Sequence, residues 1–274
     1  MIRTTTRGLV LAALPVALLL AACGDDSGDD TATTTEGDGG EDTVTAPEGL
    51  VSEGTLTICS DTPYEPFEFK DDEGNDTGFD IDLLAAIAEP ADLEISVVDL
   101  PFDGILGSLA AGDCDVVGSA VTISPERAEQ VDFSEPYFDS EQSLLVKTDS
   151  DVASVADLEG QTVGVQAGTT GETYANENAT GAEVRSFEDA DGLFAALEAG
   201  DIVAILQDLP VNGYRSTQDD TVTVVETYPT EEQYGFAVAK GNTEVLEFID
   251  AGLQTLRDDG TYDELYATYF GTEG

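Results

Sequence analysis

The sequence predicts an α/β protein built as two similar lobes. Three observations carry this. From Thr55 onward, short apolar strands alternate with segments of helical spacing, the pattern of a sheet with helices packed on it. The pattern restarts near residue 150. Both halves then keep one order: strand, a turn containing Gly or Pro, helix, strand, helix ending in Ala-Gly-Asp, strand with Asp. SLAAGDCDVVGSA (108–120) and ALEAGDIVAILQD (196–208) show the correspondence.

Taken in order, TLTICS (55–60) is a short apolar strand. Residues 77–89 form a helix approached by a turn, with Leu83, Leu84, Ile87 and Ala88 at helical spacing. A strand follows at 93–100, then a turn and a helix over 101–113 ended by Gly112. Residues 114–120 are a strand, SPERAEQVDF (124–133) is a helix start, and 142–148 is a strand. The second half has strands at 161–166, 182–187 and 202–208, with helices at 167–178, 188–201 and from 209. Strands at 221–228 and 234–241 lead to one or two amphipathic helices over 243–270. Such alternation implies parallel sheets. The expected lobes are 55–146 plus 237–274, and 147–236. Two antiparallel crossing segments near 143–148 and 234–240 are expected to join them as a hinge, with Lys147 and Lys240 at the connections.

The first 54 residues read differently. A basic start (Arg3, Arg7), an apolar run and small residues make 1–22 an export signal, too short to span a membrane. Leu20-Ala21-Ala22-Cys23-Gly24 resembles a bacterial lipobox. This implies cleavage before Cys23, a lipid on its thiol and attachment to the outer face of the cell membrane. Residues 24–54 hold ten acids and no base. They cannot bury enough apolar area to fold, so 23–54 is expected to be an acidic tether reaching about 30 Å.

The whole chain carries 58 acidic and 9 basic residues, a formal charge of −49. That field repels nucleic acid and other polyanions. It also destabilises the folded state unless salt screens it, which fits a saline or extracellular setting. The absence of His removes His-based triads and His metal ligands. Cys59 and Cys114 either pair, as in exported chains, or are two small buried thiols. A bridge needs Cα atoms within about 7 Å, and a Cys59 at the end of its strand would be too far from a Cys114 at the start of a parallel neighbour.

In open α/β sheets ligands sit beyond the carboxyl ends of strands, so the residues there are the candidates. Ser124 and Pro125 begin a helix, yet Arg127 stands where a capping box has an acid, at the positive end of the helix dipole. Arg127 with the helix starts at 124 and 169 makes an anion site. Asp208 with the Thr122 hydroxyl makes a cation site. Together they match the carboxylate and ammonium of a free amino acid. Alternatively, Arg127 pairs with Glu126, Glu129 or Glu135 on a solvated face.

GFDIDL (78–83), PYEPFEF (63–69), PFDGILGSLAAGDCDV (101–116), TISPERAEQVDFSEPYF (122–138), VGVQAGTTGETYA (163–175) and Asp208-Leu209-Pro210 are similar to motifs of one family. The chain resembles the polar amino-acid (family 3) extracellular solute-binding proteins of ABC transporters over about 55–272. The resemblance implies a two-lobed periplasmic-binding-protein-like (type II) fold with a two-segment hinge that closes on ligand. It implies that Arg127 clamps the ligand carboxylate with the Thr122 and Thr170 backbone N–H groups. Asp208 takes the α-amino group with Thr122 Oγ and a carbonyl near Ala120. Tyr64 and Phe102 sandwich the side chain, and Asp61, Ser119 and Gln166 read its far end. Asp80 and Asp82 cap and position the following helix. A monomeric, non-enzymatic carrier without cofactor or metal, delivering its ligand to an ABC permease, is expected. Asp61 with Ser119 favours a basic side chain. Glutamine, an ectoine-type osmolyte, a chemosensory role and a cyclohexadienyl dehydratase-like enzyme remain as alternatives.

Overall fold

A computed structural model describes residues 44–271, so the signal segment, Cys23 and most of the acidic stretch lie outside the described residues. Strand β1 (Thr55–Ser60) is buried over five of its six residues. It is followed by a hairpin of β2 (Phe69–Lys70) and β3 (Asp76–Thr77), then α1 (Phe79–Ala88), β4 (Glu94–Asp99) and α2 (Ile105–Ala111). Next come β5 (Val116–Val117), α3 (Pro125–Ala128) and β6 (Val131–Phe133). The chain then enters a second sheet through β7 (Phe138–Lys147), β8 (Thr162–Gln166), α4 (Thr170–Asn178), β9 (Glu183–Phe187), α5 (Ala190–Ala199), β10 (Ala204–Asp208), α6 (Leu209–Gln218) and β11 (Val222–Tyr234). It returns with β12 (Ala237–Ala239) and ends in α7 (Thr243–Asp259) and α8 (Thr261–Phe270). The sheet orders are β4-β1-β5-β12-β6 and β11-β7-β10-β8-β9.

Both sheets are mixed rather than wholly parallel. β1 runs parallel to β4 and β5, and β8 parallel to β9 and β10. The segments that carry the chain between sheets run antiparallel: β7 to β10 and β11, and β12 to β5 and β6. They need no crossover helix because they join strands of opposite direction. The chain also leaves the first sheet earlier than residue 146, because the whole of β7 pairs with β10 and β11. Residues 124–133 are a four-residue helix and then a strand, not a longer helix. Residues 44–54, read as the end of a tether, pack on the fold. Ala46 and Leu50 touch the core, and the Val51 N–H donates to Asp115 at 2.7 Å.

The first core gathers around Phe79, whose ring lies within 6.3 Å of Phe67, Phe138, Tyr262, Tyr266 and Phe270. Edge-to-face pairs of this kind add about 0.5–1.5 kcal/mol each beyond area burial. They fix α8 against α1. Gly78 must be glycine: its φ is +124°, and a Cβ there would lie 2.2 Å from the Phe67 carbonyl oxygen.

The two acids of GFDIDL do not cap α1, which has no side-chain cap. The fully buried Asp80 accepts from the Ala120 N–H at 2.8 Å and from the Tyr137 hydroxyl at 2.6 Å. It thereby holds Ala120 in a left-handed conformation, φ +47°, that is costly for a non-glycine residue. Asp82 accepts from the Tyr269 hydroxyl and ties down α8. Cys59 and Cys114 are joined, with Cα atoms 5.7 Å apart. Cys114 precedes β5 in the turn after α2, and that turn brings it back beside β1.

Candidate functional site

Asp61 follows β1, Ser119 and Ala120 follow β5, Gln166 ends β8 and Asp208 ends β10. All sit at carboxyl ends of parallel strands, where two sheets of this kind face each other. Tyr64 and Phe102 come from the loops after β1 and β4. Thr122 and Arg127 come from the loop after β5 and from α3. Thr170 opens α4. These ten residues, joined by Thr169, line one narrow cavity.

Arg127 is the one cation on its wall. Ser124 caps α3 by accepting from the Arg127 N–H at 3.2 Å. The guanidinium does not turn to Glu126, Glu129 or Glu135. It donates to the Thr122 carbonyl at 2.8 Å and to the Gly168 carbonyl at 3.1 Å, and lies 5.2 Å over the Phe102 ring. Its pKa is lowered by burial, against the raising influence of Asp208 and Glu232. Gly168 has φ +75°, and a Cβ there would lie 3.1 Å from Asp103 Cα of the facing loop. A glycine is what lets the two sides approach.

Asp208 is 6% exposed and accepts three neutral donors: Tyr64 at 3.1 Å, Tyr234, and Gln142 at 2.5 Å. No cation is among them. Burial and then the Glu232 charge push its pKa up to about 6, while the three hydrogen bonds hold it down. Asp61 is raised to about 7, mainly by burial, opposed by the Gln166 amide that donates to it at 2.5 Å. Ser119 is committed elsewhere: it donates to Glu68 at 2.6 Å and accepts from the Asp61 N–H at 3.1 Å. Tyr64 contributes a hydroxyl as well as a ring, which the sandwich expectation did not contain.

Sequence reasoning missed the second row. Glu68, Gln142, Glu232 and Tyr234 all hold wall residues in place. Glu68 is fully buried, and its pKa is pushed up by burial first and by Asp80 next. It lies within PYEPFEF and was legible as part of that motif. Gln142, Glu232 and Tyr234 lie on the crossing strands β7 and β11, and no local signal marked them.

The walls thus offer one guanidinium and two buried carboxylates without a cation, between loops of both sheets. Among the described residues no cluster of metal-ligating side chains occurs, and no helix is long and apolar enough to cross a membrane. A family model described as bacterial extracellular solute-binding proteins, family 3, matches residues 56–272. The probable histidine-binding protein of Neisseria gonorrhoeae is 33% identical over 94% of this chain and 93% of its own length. An ancestral arginine-binding protein, solved bound to glutamine, superposes with a TM-score of 0.77 at 40% identity, covering 81% of this chain and all of that one. An ancestral amino-acid-binding protein described as a precursor of cyclohexadienyl dehydratase does so with 0.75 at 40% identity, covering 79% and 96%. The architecture is that of the two-lobed type II binding proteins, and the chain belongs to the family 3 bacterial extracellular solute-binding proteins.

Proposed function

We propose that this solute-binding protein captures a free polar amino acid with a basic side chain and delivers it to an ABC permease. The observation that carries the reading is the charge of the cavity: Arg127 faces two buried carboxylates, Asp61 and Asp208, that lack a cationic partner. An α-carboxylate on Arg127 and the first N–H groups of α4, an α-ammonium on Asp208 and a cationic side chain on Asp61 balance that arrangement. Desolvated charges of opposite sign attract strongly at this depth. Tyr64 and Phe102 supply the apolar walls for the ligand's methylenes. Because Arg127 and Thr122 belong to one side and Thr170 and Asp208 to the other, neither side alone satisfies a zwitterion. Ligand therefore shifts the population toward the closed arrangement by its differential affinity, with the crossings at β7 and β11–β12 as the hinge. Micromolar affinity corresponds to about −8 kcal/mol.

A thermal-shift screen of the twenty amino acids and common osmolytes tests this. Arginine, lysine or ornithine should give the largest shift, and a flat response to every amino acid would end the reading. Glutamine is the second candidate, favoured by the Gln166 carboxamide and by the glutamine in the solved ancestral neighbour. A dehydratase-like activity would need a general acid, and the raised pKa of Asp61 supplies one. Incubation with a cyclohexadienyl acid separates catalysis from capture. Lipid attachment at Cys23 would keep the domain beside its permease. Cys23→Ser should release the protein from cells, and continued membrane association would refute the anchor.

A further inference from the structure

Glu232 lies outside the ring of residues that line the cavity, yet its contacts determine what two of them can do. Its Oε2 accepts from the Thr122 hydroxyl at 2.8 Å and from the Thr170 hydroxyl at 2.7 Å. Its Oε1 accepts from Gln142 at 3.0 Å, the same amide that donates to Asp208. A hydroxyl has one proton and two acceptor lone pairs. With both protons drawn to Glu232, both threonines can only accept toward the cavity. The Gln142 amide lies 3.3 Å from the Thr170 oxygen as well, but its two protons go to the nearer Asp208 and Glu232.

The backbone is built for this reach. β11 loses register with β7 between Tyr228 and Glu232, and Glu231 has φ +55°. A bulge of this kind re-aims the following side chain, and a left-handed non-glycine residue persists only where its surroundings impose it. An acid on a crossing strand thereby reaches Thr122 and Thr170, while it also lines a wider outer hollow with Phe138, Glu231 and Phe270.

We infer that Glu232 is a positioning residue for the ammonium end of the cavity, taking the protons of Thr122 and Thr170 so that their lone pairs face a bound primary ammonium. This deepens the proposed amino-acid function and rests on it. The charged and titratable groups around Glu232 are Asp208 on β10, Arg127 on α3, Tyr64 from the first loop and its own neighbours Glu231 and Tyr234. Only Arg127 is cationic. The pair Glu232 and Asp208 therefore presents net negative charge to the same end of the ligand. A carboxylate placed there meets acceptors alone. The device selects the orientation of the ligand as well as its charge.

The test is a double-mutant cycle of Glu232→Gln and Thr170→Val in the full chain, read by calorimetry at pH 8. L-Arginine, L-glutamine and L-histidine serve as probes. Thr170→Val keeps the backbone N–H proposed for the ligand carboxylate, so it removes the hydroxyl alone. Glu232→Gln alone should weaken the bound probe at least fivefold with little change in melting temperature. On the Thr170→Val background its effect should be at least threefold smaller, because part of its work is done through that hydroxyl. Glu232→Asp, which draws the carboxylate back by one CH₂, replaces it in the cycle if Glu232→Gln unfolds. A smaller loss, a gain in affinity, or additive losses would each overturn the inference. If the wild-type protein binds none of the three probes, the amino-acid reading falls and takes this inference with it. If it binds and Glu232→Gln binds equally, only the role of Glu232 falls.

Discussion

The Tyr64 hydroxyl donates to Asp208 Oδ2 at 3.1 Å, joining the loop after β1 to the end of β10 across 144 residues of sequence. This bond and two more occupy all but one of the roughly four acceptor sites of Asp208 with neutral donors while leaving its charge unbalanced. An α-ammonium placed beside it completes a buried ion pair. Removing one member of such a pair costs about 2–5 kcal/mol. Asp208→Asn should therefore weaken amino-acid binding by about 100-fold, and Tyr64→Phe by much less. Calorimetry checks both, and a Tyr64→Phe loss equal to that of Asp208→Asn would mean that the hydroxyl itself contacts the ligand.

Arg127 is the counterpart of Asp208. Its two observed partners are carbonyls, Thr122 and Gly168, which orient the guanidinium without neutralising it. Charge-assisted bonds to a carboxylate are about twice as strong as neutral ones. Arg127→Ala should abolish measurable binding, a loss of at least 100-fold, and leave the melting temperature within a few degrees. Arg127→Lys should recover only part of it, since an ammonium cannot reproduce the planar fork. Undiminished affinity in Arg127→Ala would refute the anion site.

Asp61 distinguishes among ligands. It accepts from Gln166, and its raised pKa reports an acid with no cation beside it. A cationic side chain repairs that, whereas a carboxamide gains only a hydrogen bond. Asp61→Asn should lower arginine affinity by at least tenfold and glutamine affinity by less than threefold. Equal losses for the two would exclude a charge-reading role.

The wall of the cavity was legible because it is made at strand ends and helix starts, which punctuation residues mark locally. Arg127 stood out because it breaks a capping rule at a Ser-Pro helix start, and Gln166 and Asp208 because each closes an apolar run. Of the second row, Gln142, Glu232 and Tyr234 were not legible. Glu232 reaches the site through a bulge and a left-handed residue, features of backbone path that no spacing rule encodes. Asp80 was read as a cap because acids near a helix start usually are; tertiary structure gave it the Ala120 turn to hold. The crossing segments run antiparallel as expected, through β7, β11 and β12, and they are what makes each otherwise parallel sheet mixed. The bond between Cys59 and Cys114 depended on the turn after α2, which sets their separation.

The buried acids also tie stability and binding to pH in opposite senses. Asp61 and Asp80 are pushed up to about 7 and Asp208 to about 6, in each case chiefly by burial, from an ordinary value of 3.8. The folded state therefore holds these protons more tightly than the unfolded state. Their contribution to stability is fully present below about pH 4 and is lost as pH rises through 6 to 7. Ligand cations need Asp61 and Asp208 ionised, so affinity for a basic amino acid should rise over that interval. The ligand-free melting temperature should fall by several degrees from pH 5 to pH 8, while the shift induced by saturating arginine grows. Self-repulsion of the −49 chain acts in the same direction on stability. In 1 M salt the Debye length is about 3 Å, so surface repulsion is screened while buried carboxylates are screened far less. The pH dependence of melting should persist in high salt and shrink in Asp61→Asn. A dependence that salt abolishes would assign it to the surface, and an arginine affinity that falls with rising pH would contradict the ionised state assigned to Asp61 and Asp208.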